Sequence, residues 1–371
     1  MIIEQLVPSS PRTVGAHRVR IGDVAFGDDR IPIIAGPCAV EPDYIEHAQV
    51  AAAAGASALR GCVFKPRTHP ASFQGAGMKG LELLDEARRL TGLPVLAEPL
   101  EVADVERLRP HVDALLIGTR SMHNTPLLRA AGRTALPVVV KRGMSATYDE
   151  WLAAAEYVAE SGNDQIILCE RGIRTFETAT RNTLDVSAIA VLREKTDLPI
   201  IVDPSHATGR GAWVAPLALA AVAAGADGLL IECHPSPQHA LCDGAQAITP
   251  AELTALTRAV QMLSASVRPS LPRSVDDARH SLDAIDSAIA GLIDRRARVV
   301  DALTRVKQEL GVPLRDRGRE QDVISRVQQR APSLHPDAAA LVMRAVIEAC
   351  LTSSSAFQAS DDVDLMVARV R

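Results

Sequence analysis

Aromatic side chains make up only 3% of this sequence. That scarcity excludes a core built on stacked rings, so aliphatic side chains must fill it. Long apolar runs are missing too: no stretch reaches the ~18 uninterrupted apolar residues of a membrane span. The most apolar one, "WVAPLALAAVAAGADGLLIE", is broken by Pro216, Gly225 and Asp227. The first residues, "MIIEQLVPSSPRTVG", lack the basic flank and apolar core of an export signal. There is no surplus of positive charge; the net charge of −5 argues against a nucleic-acid partner. Cys38, Cys62, Cys169, Cys233, Cys242 and Cys350 show no paired spacing, so reduced thiols or metal ligands in a cytoplasmic protein are expected, not a disulfide framework.

What is present is periodic. At 371 residues the chain exceeds the size of a single core, so two domains are expected. Short β-branched runs recur at 31–37, 58–64, 94–99, 114–118, 137–143, 165–172, 199–206 and 228–235, separated by alanine- and leucine-rich segments. Runs apolar on both faces and alternating with helices imply a parallel sheet covered by helices. Eight such units fit an α/β fold of the (β/α)8 barrel type, which takes about 250 residues. A doubly wound open sheet is the alternative, but no dinucleotide glycine fingerprint follows the first run. The expected organisation is an N-terminal extension over residues 1–30, read as a strand pair plugging the barrel floor, then the barrel over 31–263. A Pro- and Ser-containing linker at 264–274 and an all-α domain over 275–371 follow.

The ends of the runs carry the polar residues, and in a barrel those ends converge on one face. One population is cationic: Arg60, Lys65, Arg67, Arg120, Lys141 and Arg171. Crowding them into one mouth costs free energy unless anions enter, and guanidinium forks suit phosphate and carboxylate. Lys65, Pro66, Arg67 and Thr68 form the densest knot; a solvated loop is the plainer reading of that stretch alone. The other population is Cys38, His206, Glu232 and Asp243, a thiol, an imidazole and two acids that suit a divalent metal of mixed softness. Each alone reads as structural; together at one mouth they read as a metal site.

The motifs "AGPCAVE", "LRGCVFKPRT", "FQGAG", "IGTR", "VVVKRGMSA", "LCERGIRTFETATRNTLD", "DPSHATGR" and "ECHPSPQHALCDG" resemble those of the type Iβ 3-deoxy-D-arabino-heptulosonate 7-phosphate (DAHP) synthases over roughly residues 15–255. The resemblance implies a metal-dependent transferase that condenses phosphoenolpyruvate with erythrose 4-phosphate, opening the shikimate pathway to chorismate and the aromatic amino acids. It implies Cys38, His206, Glu232 and Asp243 as ligands of a divalent ion, Mn2+ first, with Fe2+, Co2+ or Zn2+ as other choices. It implies Arg60, Lys65, Arg120, Lys141 and Arg171 for phosphoenolpyruvate, and Lys65, Pro66, Arg67 and Thr68 for erythrose 4-phosphate. The arabinose 5-phosphate-using relatives carry Ala-Asn-Arg in place of Pro66-Arg67-Thr68, which favours the four-carbon sugar. Lys65 would give a proton to the forming alkoxide, and Glu98 or His234 would orient the attacking water. Cys62, Thr119 and Ala207 depart from the family pattern, and Cys233 and Cys242 read as packing residues.

Past the linker, Ser274 with Asp277 reads as a helix cap. Leu282, Ile285, Ile289, Leu292, Val299, Leu303, Val306 and Leu310 then follow a 3–4 spacing whose one gap is Arg296. Such a seam wants a partner helix. An arginine on it either meets an anion, snorkels or pairs with a nearby aspartate. Gly311-Val312-Pro313 ends the helix, and further helices are expected over 319–331 and 336–358. Residues 275–358 resemble the all-helical chorismate mutases. That resemblance implies Arg279, Arg296, Lys307, Asp316, Arg319, Glu320 and Ser354 as the chorismate or prephenate positions, and an intertwined dimer in which Arg279 reaches the partner's site. A homodimer or homotetramer is therefore expected. Ser354 stands where a glutamine or glutamate is usual and Cys350 where a serine is frequent, with Gln358 one turn later. The domain is accordingly read as a mutase, or as a regulatory or docking module. A metabolite-binding pseudoenzyme is the remaining alternative, and the retained ligands and cations argue against it.

Overall fold

Each apolar run becomes a strand of one closed, parallel barrel in the computed structural model, which describes residues 17–28, 30–65, 69, 71–267 and 275–354. An antiparallel pair, β1 (Val19–Ile21) and β2 (Val24–Phe26), comes first. The barrel strands are β3 (Ile33–Gly36), β4 (Ala58–Arg60), β5 (Val95–Ala97), β6 (Ala114–Ile117), β7 (Val138–Lys141), β8 (Ile166–Glu170), β9 (Ile200–Val202) and β10 (Gly228–Glu232). They pair in chain order, and β10 closes the ring by pairing with both β9 and β3. Around them lie α1 (Tyr44–Ala53), α2 (Lys79–Thr91), α3 (Val102–Leu108), α4 (Thr125–Gly132), α5 (Tyr148–Ala159), α6 (Ser187–Lys195), α7 (Pro204–Thr208), α8 (Val214–Ala223) and α9 (Pro250–Val267).

Strand alternation divides the core in two. Ile33, Ala35, Leu59, Val95, Leu115, Val138, Val140, Ile166, Leu168, Ile200 and Leu229 face outward and pack on the helices. Ile34, Ala58, Leu96, Ala114, Leu116, Val139, Ile167, Cys169, Ile201 and Leu230 fill the interior. With so few rings in the sequence the interior is lined by small and aliphatic groups, and Val19, Ile21 and Phe26 of the β1–β2 pair complete it. The pair sits at the floor: a Cβ on Gly228, the first residue of β10, would come within 3.0 Å of the Phe26 ring. The expected plug is there.

The strands are shorter than the expected runs: Arg60, Lys141 and Glu232 close their strands, whereas Glu98, Arg171 and His234 lie in the loops beyond. At 199–206 the difference is one of kind. Asp203 accepts from the His206 backbone N–H and Pro204 occupies the first turn, so the run breaks into β9 and the short helix α7, which carries His206. The first residues of the expected linker are helical, because α9 meets no breaker and continues to Val267; residues 268–274, with the Ser274 cap, lie outside the described residues.

The chain divides into two compact units, Met1–Ser281 and Leu282–Arg371. The second is helical: most of α10 (Val275–Glu309), then α11 (Arg317–Arg330) and α12 (Pro336–Thr352). Its small core joins Ile324, Ala340, Ile347 and Leu351 with Val300, Val323 and Met343. The seam of α10 stays half-exposed, including Leu282 at 58% and Val299 at 60%. Gln358 lies outside the described residues, and α12 ends at Thr352, earlier than expected. Among the described residues no helix is long and apolar enough to cross a membrane.

Candidate active site

Strand parity explains what the barrel mouth contains. The inward set at Ala58, Leu96, Val139, Cys169, Ile201 and Leu230 continues two residues on to Arg60, Glu98, Lys141, Arg171, Asp203 and Glu232. All six are buried. Glu98 depends on its neighbour having no side chain, since a Cβ on Gly118 would lie 1.7 Å from Glu98 Oε1.

Four donors converge there. One ligand atom each from Cys38, His206, Glu232 and Asp243 lies within 4.8 Å of all the others. Cys38 Sγ is 3.1 Å from Asp243 Oδ2, and His206 Nε2 is 3.4 Å from Glu232 Oε1. Asp243 is the one described non-glycine residue with positive φ, at 55°, a conformation that aspartate tolerates better than most and that turns its carboxylate toward Cys38.

The surroundings set the ionisation of the donors. Burial lowers the His206 pKa, keeping the ring neutral, while Nδ1 lies 2.8 Å from Asp203 Oδ2. With Nδ1–H donating to that carboxylate, the Nε2 lone pair faces the other donors. Burial would raise the Asp203 pKa, but the Lys141 ammonium and the hydrogen bond from His206 hold it well below the usual range. Burial likewise works against Glu232 and Asp243; Arg60 keeps the first ionised, and Cys38 and Arg181 the second. Contact with Cys242 and then burial raise the Cys38 thiol, so cation binding there would release a proton. Glu232 Oε1 is buried and accepts no hydrogen bond, although Arg60 Nη1 is 3.1 Å away. A soft donor, a neutral imidazole nitrogen, two ionised acids and an orphaned buried oxygen fit a first-row divalent cation.

Beside this set stand the cations. Lys65 Nζ donates to Cys38 Sγ at 3.1 Å, and Lys141 Nζ to Asp203 Oδ2 at 2.5 Å. Arg60 Nε and Nη1 and Arg171 Nε are buried without a hydrogen-bond acceptor. Burial lowers the Arg171 pKa, as expected of a desolvated cation awaiting an anion. Arg120 lies on a single turn after β6 and is exposed at the rim. Pro66, Arg67 and Thr68 lie outside the described residues.

His234 faces elsewhere. Its Nδ1 accepts from the Ser236 backbone N–H at 2.9 Å, its Nε2 lies 3.3 Å from Glu41 Oε2, and its ring meets that of His47 edge-on. Glu41, His47 and His234 could be taken for a second metal site. The Ser236 contact forces the proton onto Nε2, however, so His234 offers Glu41 a donor and leaves a cation no lone pair. Glu41 also accepts from the Leu241 N–H, tying the Cys38 loop to the segment before Asp243.

Sequence reasoning passed over Glu41, Arg181 and Gln246. It gave Asp203 no role, although aspartate followed by proline three residues before a histidine is a readable cap.

The helical unit carries its expected residues on separate local partners. Arg296 Nη1 donates to Val346 O, Lys307 Nζ to Leu314 O, and the Arg319 N–H to Asp316 Oδ1, the cap of α11. Glu320 and Glu348 share Arg315, Ser354 Oγ donates to Asp301, and the exposed Arg279 pairs with Asp276.

The closed barrel agrees with the motifs, and the family follows from comparison. The DAHP synthetase I family model matches residues 9–268. The chain belongs to the DAHP synthetase I family. A second model, chorismate mutase type II, matches residues 278–354. The phospho-2-dehydro-3-deoxyheptonate aldolase of Thermotoga maritima is 49% identical over 232 residues, covering 62% of this chain and 69% of that protein. Its crystal structure as a DAHP synthase superposes with a TM-score of 0.65 at 46% identity, covering 67% of this chain and 74% of the other. The 2-dehydro-3-deoxyphosphooctonate aldolase of Syntrophotalea carbinolica is 35% identical over 254 residues, covering 62% of this chain and 90% of its own.

Proposed function

We propose that the barrel condenses phosphoenolpyruvate with erythrose 4-phosphate to give DAHP and inorganic phosphate. The observation that carries this is the juxtaposition, in one mouth, of a four-donor cluster with buried guanidinium nitrogens, Arg60 Nε and Nη1 and Arg171 Nε, that have no hydrogen-bond acceptor. Arg60, Lys141 and Arg171 would hold the carboxylate and phosphate of phosphoenolpyruvate, with Arg120 closing over it from the rim. Cys38, His206, Glu232 and Asp243 would hold the divalent ion, Mn2+ first among the choices. When bound, it would supply Lewis acidity toward the aldehyde oxygen of the sugar phosphate.

The remaining roles belong to the chain's own residues. A C–C bond forms between C3 of phosphoenolpyruvate and the aldehyde carbon, and Lys65, beside Cys38, donates a proton to the oxygen that becomes the hydroxyl. Water adds at C2, and phosphate leaves with its bridging oxygen. Glu98, buried in the same mouth, orients that water; His234 is committed to Glu41. Lys65-Pro66-Arg67-Thr68 would receive the four-carbon sugar, a choice supported by the greater identity to the heptonate enzyme than to the octonate group.

The helical domain would bind chorismate or prephenate. Arg279, Arg296, Lys307 and Arg319 would supply the cations, and Asp316, Glu320 and Ser354 the remaining contacts. A second copy would cover the open α10 seam and bring Arg279 to the partner's site. With Ser354 already donating to Asp301, binding without fast rearrangement fits best, giving the barrel a product sensor.

The test is an assay of the purified chain with both substrates and Mn2+, and separately with chorismate. Condensation lost on chelation and restored by metal is expected. Turnover that survives complete metal removal, or that prefers arabinose 5-phosphate, would overturn the assignment.

A further inference from the structure

Between the acid ligands and the outside of the mouth stands a side-chain bridge. Gln246 is 2% exposed. Its Nε2 donates to Glu232 Oε2 at 2.7 Å, and its Oε1 accepts from Arg181 Nη1 at 2.7 Å. Only this orientation of the amide satisfies both neighbours, because a carboxylate can only accept and a guanidinium can only donate. The same Arg181 nitrogen lies 3.4 Å from Asp243 Oδ1, and the Gln246 backbone N–H donates to Asp243 O at 3.2 Å.

Arg181 is fixed from below. Its N–H donates to Thr208 O, the Asn182 N–H to Ala207 O, and Asn182 Nδ2 to His206 O. One short segment, residues 181–182, thus touches the helix that carries His206 and, through Gln246 and Arg181, both acids. None of these residues points to the cation chemistry by sequence spacing.

We infer that Gln246 and Arg181 are positioning residues that set the separation and orientation of Glu232 and Asp243 for the bound cation. The inference rests on the metal reading above. The amide leaves Glu232 its charge while occupying one oxygen, so the other oxygen, the orphaned Oε1, is the one presented with His206 Nε2. Arg181 offsets part of the repulsion between the two acids.

Two variants test this, Gln246→Leu and Arg181→Met, read by Mn2+ affinity in chelator competition and by the visible spectrum of Co2+ bound in place of Mn2+. Each is expected to weaken Mn2+ binding by about 10- to 100-fold, the usual effect of losing an outer partner of a ligand, and to shift the Co2+ bands. The far-ultraviolet circular dichroism of the metal-free chain should not change. Should Gln246→Leu fail to fold, Arg181→Met, whose parent side chain is 39% exposed, carries the test. If the parent binds one cation and a folded variant binds it within twofold with an unchanged Co2+ spectrum, the positioning role is wrong and the metal reading stands. If the parent binds no cation, the metal reading itself fails and takes this inference with it.

Discussion

At the scale of single residues, the mouth separates groups that hold charge from groups that move protons. Replacing Lys65 with alanine removes the one buried ammonium beside Cys38 and leaves the four ligands in place. We expect turnover to fall by at least about 10²-fold, in the range usual for a lost proton donor, while the metal stays bound by elemental analysis. His47 gives a second residue-scale prediction. Burial, then His234, lowers its pKa, against the opposing pull of Glu41, Asp43 and Glu46. The folded chain therefore refuses a proton that the unfolded chain accepts below about pH 6.5. Since the unfolded state binds more protons there, stability must fall as pH drops through that window. His47→Asn should flatten the acid-side slope of unfolding free energy against pH in the metal-free chain; a slope equal to the parent's would contradict it.

At the scale of elements, residues of outward parity lock what those of inward parity present. Arg142 and Glu170 follow or end β7 and β8, next to Lys141 and Arg171, and are fully enclosed. Arg142 Nη1 reaches Glu170 at 2.9 Å and Asp185 at 2.8 Å, and its guanidinium lies over the Tyr148 ring. Arg142→Leu would strand a buried carboxylate, so we expect a loss of about 3–5 kcal/mol in barrel stability, checked by denaturant unfolding. A raised KM for phosphoenolpyruvate should accompany it as the two strand ends loosen. The strands themselves were legible because apolar residues on both faces can only be buried on both faces, and their place at the run ends carried Arg60, Lys141, Arg171 and Glu232 to the mouth. Less was legible where loops decide. His234 continues the parity of Glu232, yet the strand has ended and Ser236 turns its ring toward Glu41. Arg181 and Gln246 meet across a loop and a single helical turn, whose path no periodicity encodes.

At the scale of the whole molecule, α10 leaves Leu282, Leu292, Val299 and Leu303 at least half exposed, more apolar surface along one helix than a lone chain usually leaves in water. We expect sedimentation to show a dimer or tetramer, and Leu292→Glu with Leu303→Glu to lower the assembly by at least one step. Unchanged mass would place the contact elsewhere. The floor of the barrel carries a different consequence. Val19, Ile21 and Phe26 are among the earliest described residues of the chain, yet they rest on side chains drawn from strands as late as β10. A ribosome emits this stopper first and its seat last. Some two hundred residues must therefore emerge before the hairpin finds its place, and until then the nascent chain holds an apolar segment with nowhere to dock.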